Sequence, residues 1–143
     1  KFTKAIFEGQ PIQVYNHGKM RRDFTYIDDI VEGVAAVADR PARPNQQWDP
    51  ANPDSGTSSA PYRLQNIGNN NPIELMRFIE TLETAIGRKA EKQMLPMQPG
   101  DVQSTYADIE PLAADTGVRP TTQIEEGLER FVHWFRDYYG IRA

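Results

Sequence analysis

Met20-Arg21-Arg22-Asp23-Phe24-Thr25-Tyr26-Ile27-Asp28-Asp29-Ile30 is the stretch on which the reading of the fold turns. Its aromatic and β-branched run, Phe24-Thr25-Tyr26-Ile27, predicts a short strand. Asp28 or Asp29 is suited to cap the helix that follows. That helix carries Ile30, Val31, Val34, Ala35, Val37 and Ala38 as its apolar face and stops before Pro41. Arg22 has two readings. It can pair with Asp23, Asp28 or Asp29, or its planar fork can take two oxygens of a phosphate at any working pH.

Upstream, Phe2, Ala5 and Ile6 are neighbours on a helix face and Gly9 ends the run, as in the last turns of an amphipathic helix. No capping residue precedes it, so the chain is expected to be a piece of a longer protein. Pro11-Ile12-Gln13-Val14-Tyr15 alternates like a strand and meets a turn at Asn16-His17-Gly18. Downstream, residues 41–61 are dominated by Pro, Asn, Gln, Asp, Ser and Gly and read as a flexible surface loop. A strand is predicted over 62–68. Pro72 then marks a helix start, with Leu75, Phe78, Ile79, Leu82 and Ile86 on one face and Gly87 as the stop. A strand over 92–95 and helices over 108–116 and 123–139 complete the pattern, the last with Ile124, Leu128, Phe131, Val132 and Phe135 on one side. The fold class is α/β in the mixed α+β sense, with short strands and about four helices in one domain, 1–143.

Composition narrows the function. A net charge of -4 offers no support for nucleic-acid binding. Without cysteine there is no disulfide framework, thiolate metal site or cysteine nucleophile. No run approaches the apolar length of a membrane span, and a cytoplasmic location is expected. With 38% hydrophobic residues, 11 prolines and 10 glycines, the chain fits a piece whose partner half covers part of its surface.

Several separated strings agree in order and spacing with one family. Arg22-Asp23-Phe24-Thr25-Tyr26-Ile27-Asp28-Asp29, Pro11 to Tyr15, Tyr62 to Asn70 and Gln98-Pro99-Gly100-Asp101-Val102 resemble the extended short-chain dehydrogenase/reductases, the NAD-dependent nucleotide-sugar epimerases and dehydratases. Gly18 to Asp29 and Leu95 to Val102 are most like the UDP-glucuronate 4-epimerase branch. The resemblance implies that Gln13 and Tyr15 hold the nucleobase edge, largely through backbone groups, and that Arg22 holds the diphosphate. It places Asn66 near phosphate and ribose, and Asp101 on the ribose hydroxyls. Gln98 departs from the arginine that many relatives carry there; it keeps hydrogen bonding and loses a charge.

The resemblance also implies what is elsewhere. The chain has no glycine-rich dinucleotide loop, so NAD is expected on an absent N-terminal Rossmann domain, with the Rossmann core mostly missing here. Tyr15-Asn16-His17-Gly18-Lys19 satisfies the family's Y-x-x-x-K catalytic spacing formally, but a turn cannot set Tyr and Lys one helical turn apart. By resemblance the parent is a homodimeric 4-epimerase interconverting UDP-glucuronate and UDP-galacturonate, and this part binds the UDP-sugar and is catalytically silent alone. A decarboxylase or 4,6-dehydratase of the family, or a stand-alone binding module, remain the other readings. His17 and His133 read as surface histidines, and the aromatic group Trp134, Phe135, Tyr138 and Tyr139 as packing for the last helix.

Overall fold

The computed structural model describes residues 1–141. They form α1 (Phe2–Glu8), β1 (Ile12–Val14), a 3-10 turn (Tyr15–Gly18), β2 (Arg21–Arg22), α2 (Ile27–Ala38), β3 (Ile73–Glu74), α3 (Leu75–Ile86), β4 (Lys92–Met94), α4 (Glu110–Thr116) and α5 (Ile124–Tyr139). The fold is mixed α and β, as expected. Two compact units are present: Lys1–Phe24 with Asn71–Tyr106 and the residues from Thr122 on, and Thr25–Asn70 with Ala107–Thr121.

In the first unit the apolar periodicities close on one another. Ile12 and Val14 alternate inward from β1, and Ile79, Leu82 and Ile86 line one face of α3. Ile6, Leu128 and Val132 complete the cluster. Gly9 and Gly87 end α1 and α3 in the left-handed region, at φ 69° and 77°, which glycine enters without a Cβ penalty. β1 pairs in parallel with β4, Ile12 opposite Lys92 and Gln13 opposite Gln93. Glu83, 2% exposed, lies within this unit. It accepts from Lys89 Nζ at 2.9 Å, from Ala90 N–H at 3.0 Å and from Lys92 Nζ. Burial pushes its carboxyl up, but those three donors outweigh burial and bring it down to about 2.

The second unit pairs α2 with α4. Gly33 lets Ile67 approach so closely that a Cβ there would stand 3.0 Å from Ile67 Cδ1. Asp115 gathers three chain segments. Arg63 pairs with its carboxylate, Gln65 Nε2 donates to Oδ2 at 3.0 Å, and Arg40 donates to its carbonyl. Residues 41–61 contain no helix or strand. Bonds within the segment include Asn45 Nδ2 to Thr57 Oγ1 at 3.0 Å, Trp48 Nε1 to the Asp54 carbonyl at 3.2 Å, and Gly56 N–H to Asp54 Oδ1 at 2.9 Å, and Leu64 N–H donates to the Gly56 carbonyl at 2.9 Å from beyond its end.

Several expectations are corrected. The strand placed at 24–27 lies instead at Arg21–Arg22, antiparallel to β3. Phe24 stacks on Phe78 at 4.3 Å, and Ile27 already opens α2, so tertiary packing overrides strand propensity. Tyr26, not Asp28 or Asp29, is the N-cap of α2; the two carboxylates sit in its first turn, where they complement the helix dipole. Residues 62–68 make no ladder beyond one bridge, Thr57 with Arg63, because no strand lies alongside. Pro72 precedes β3 rather than starting a helix, and α3 begins at Leu75. The predicted face of α2 is largely solvent-exposed, Val31 at 58% and Val34 at 55%. Trp134, Tyr138 and Tyr139 also stay more than half exposed, stacking on their own neighbours, while Phe135 is buried.

Candidate functional site

The first unit carries five of the six predicted residues, Gln13, Tyr15, Arg22, Gln98 and Asp101, on short strands and turns. β1 turns Ile12 and Val14 into the core and so points Gln13 outward. The 3-10 turn that follows carries Tyr15, whose hydroxyl donates to Gln13 Oε1 at 3.1 Å. Parallel pairing sets Gln93 beside Gln13, and β4 then runs on toward Gln98. Gln13, Tyr15, Gln93 and Gln98 line one cavity of about 560 Å³ together with Lys1 and Phe2. An aromatic ring, a phenol and three amides suit the mixed donor and acceptor edge of a planar heterocycle.

Gln98-Pro99-Gly100-Asp101 is a tight turn closed by Asp101 N–H donating to the Gln98 carbonyl at 3.2 Å. Gly100 has φ 81°, and with proline before it this is the type II pattern. The turn gives Gln98 to the cavity and Asp101 to the other predicted group, Arg22. Arg22 Nη2 donates to Asp101 Oδ1 at 3.0 Å. Its Nη1 donates to the carbonyls of Arg21 at 2.8 Å and Gln103 at 3.2 Å. The backbone beneath is held on two sides. β2 pairs with β3, while Arg21 N–H donates to Gln103 O at 2.9 Å and Thr105 N–H to Arg21 O at 3.2 Å. Arg22 therefore pairs with a residue 79 positions away, and not with the nearby Asp23, Asp28 or Asp29 considered from the sequence.

Asn66 lies in the second unit, where its Nδ2 donates to the Asp108 carbonyl at 3.4 Å. Gln93 and the Gln103 carbonyl were not singled out from the sequence. Gln93 had a usable signal, since a strand at 92–95 offers it as an outward polar residue; Gln103 acts through its backbone and leaves none.

Other groupings lack the geometry for chemistry. Tyr15 and Lys19 flank a turn in which Asn16 and His17 have φ 50° and 49°, not a helix. His133 is exposed and reaches Asp137 Oδ2 at 3.3 Å along α5. Among the described residues no group of three or more His, Asp or Glu is arranged to hold a metal, and no helix is long and apolar enough to cross a membrane.

Comparison with known proteins gives these observations a family. The NAD dependent epimerase/dehydratase family matches residues 1–49. A Staphylococcus aureus protein named CapI is 50% identical over 139 residues, 97% of this chain and 42% of that protein. A Rhizobium meliloti protein named "Probable UDP-glucuronate 4-epimerase" is 45% identical over 140 residues, 97% of this chain and 41% of that protein. The UDP-glucuronic acid 4-epimerase of Bacillus cereus, solved with UDP-glucuronic acid and NAD, superposes with a TM-score of 0.75 at 26% identity, over 96% of this chain and 39% of that one. The chain thus spans about two fifths of the length of the relatives it matches. With the strings, the fold and these likenesses in agreement, the chain belongs to the NAD-dependent nucleotide-sugar epimerase/dehydratase family of extended short-chain dehydrogenase/reductases.

Proposed function

We propose that this chain is the UDP-sugar-anchoring part of an NAD-dependent 4-epimerase that interconverts UDP-glucuronate and UDP-galacturonate. The observation that carries the reading is the Gln98–Asp101 turn, which gives one end to the Gln13/Tyr15 cavity and the other to Arg22. A uracil in the cavity would meet Gln13, Tyr15 and Gln98, and the diphosphate would meet Arg22. Asp101 takes the ribose hydroxyls through Oδ2, the oxygen with no hydrogen bond among the described residues. Asn66 is assigned to the phosphate and ribose by resemblance alone. Anchoring the unreactive nucleotide in this way leaves the sugar free to turn, and the binding energy is realised away from the reacting carbon.

NAD, when bound to the parent, supplies hydride transfer at C4. No residue of this chain is assigned to that cofactor, since the sequence carries no glycine-rich loop. The exposed apolar face of α2, with Ile27, Val31 and Val34 each more than half accessible, is the surface on which the N-terminal Rossmann part would pack. The same reading makes the isolated chain catalytically silent and the parent a cytoplasmic homodimer.

The test is Arg22→Ala in the full-length protein. UDP affinity should fall by about 2–4 kcal/mol, the range for losing a charge-assisted pair. Arg22→Lys should recover part of it, because an ammonium cannot offer the planar fork. Unchanged UDP affinity in Arg22→Ala would remove Arg22 from the site and the reading with it.

A further inference from the structure

We propose that Asp101 is a positioning residue for Arg22: its carboxylate sets the guanidinium plane so that two N–H donors stay open for a diphosphate. The inference rests on the nucleotide-anchoring reading above and adds a second role to Asp101, separate from any contact with ribose.

A guanidinium has five N–H donors. Three are engaged here, two from Nη1 by the carbonyls of Arg21 and Gln103 and one from Nη2 by Asp101 Oδ1. That leaves the Nε–H and one Nη2–H, two donors for the two oxygens of a phosphate. The carbonyls hold one nitrogen only. Asp101 is the side chain that stops the group from turning about that nitrogen. Asp101 is itself fixed: Oδ1 also accepts Val102 N–H at 2.8 Å, and the type II turn holds its backbone. Stability is a weak explanation for the pair. The two side chains are 25% and 34% exposed, and such half-open ion pairs contribute little to folding. A pair with small folding value and a fully determined geometry is a means of orienting Arg22, which lowers the entropy cost of engaging the ligand.

The ribose contact and the positioning role separate by choice of ligand. In the full-length protein, calorimetric titrations would use UDP and 2′,3′-dideoxyuridine diphosphate, which has no ribose hydroxyls to offer. Asp101→Ala should weaken the dideoxy nucleotide about tenfold, and in an Arg22→Ala background it should change that affinity less than about twofold, since coupled residues are non-additive. Asp101→Asn, which keeps an acceptor oxygen, should stay within about threefold of the parent, while Asp101→Glu, which keeps the charge but moves the carboxylate by a methylene, should lose nearly as much as alanine. The glutamate variant carries the test if the alanine variant does not fold. Dideoxy affinity untouched by both Asp101→Ala and Asp101→Glu, with Arg22→Ala still weak, would leave Asp101 as a ribose reader and overturn the inference. So would fully additive losses in the double variant. If Arg22→Ala itself changes neither affinity, the anchoring reading has failed and the positioning role goes with it.

Discussion

α2 and α3 are both twelve-residue helices with an apolar face, and they end in opposite surroundings. α3 buries Ile79, Leu82 and Ile86 in one cluster with Ile6 of α1, Ile12 and Val14 of β1, and Leu128 and Val132 of α5. On α2 the one buried residue is Gly33, and Ile27, Val31 and Val34 face solvent. The same contrast runs through the two units. Among the described residues the second unit buries the apolar side chains of Ile109, Leu112 and Pro120, whereas the first buries those of Ile6, Ile12, Val14, Met20, Ile79, Leu82 and Val132 among others. Periodicity fixes which face of a helix is apolar; it does not state what covers it. A covered face is where stability resides, and an open one is where another surface can be received.

The strongest way to break this comparison is in the covered face. Leu82 is fully buried, and Leu82→Ala should cost about 2–5 kcal/mol in urea denaturation, from lost transfer energy and a residual cavity. A cost below about 1 kcal/mol would mean that the first unit lacks the tight core described.

Glu83 gives the next effect, and its sign follows from its depressed carboxyl. In the unfolded chain the group titrates near 4.5 and in the folded chain at about 2. Its contribution is therefore present above pH 4.5 and is lost as pH falls toward 2. The loss should be on the order of 1–3 kcal/mol in melts compared across that window, and Glu83→Gln should flatten it. A wild-type and Glu83→Gln pair with parallel pH profiles would contradict the pairing of buried Glu83 with Lys89 and Lys92.

Gly33→Ala sharpens the comparison from the other side. Alanine is the better helix former, yet its Cβ would stand 3.0 and 3.3 Å from two carbons of Ile67. A net loss of about 1 kcal/mol is expected, relieved when Ile67→Ala is added. Stabilisation by Gly33→Ala alone would show that Ile67 gives way freely and that this contact does little for the second unit.

The smallest effect belongs to the open face. Val31→Ser and Val34→Ser should each shift the stability of the chain by itself by no more than about 0.5 kcal/mol, as for exposed positions generally. The same changes in the full-length protein should cost more than about 1 kcal/mol if the Rossmann part packs there. Equal effects in both settings would leave the α2 face without a partner.

Much of this was legible from local signals. The ends of α1 and α3 at Gly9 and Gly87, the turn at Asn16-His17-Gly18, β1, β4 and the faces of α3 and α5 follow from glycine placement and period. The strand expected at 24–27 failed because aromatic residues serve a sheet or a packed ring equally well, and Phe24 had Phe78 to stack on. The strand at 62–68 failed because an extended segment becomes a strand only when a neighbour lies beside it. Glu83 was missed altogether. A carboxylate on a helix reads as solvated until Lys89 and Lys92, beyond the helix end, are seen to fold back on it.

The candidate site divides along the same line. Local preference is enough for the type II turn at Gln98-Pro99-Gly100-Asp101, where proline and glycine prescribe the dihedral angles, although in the sequence that string stands out only for its resemblance, and strand alternation is enough to point Gln13 outward. Long-range packing alone sets Gln13 beside Gln93, gives Gln98 and Tyr15 a common cavity, and pairs Arg22 with Asp101. Each of those pairings joins residues some 80 positions apart. Local preferences act over a few residues, and such encounters are set by which apolar faces bury one another and by the strand register that results.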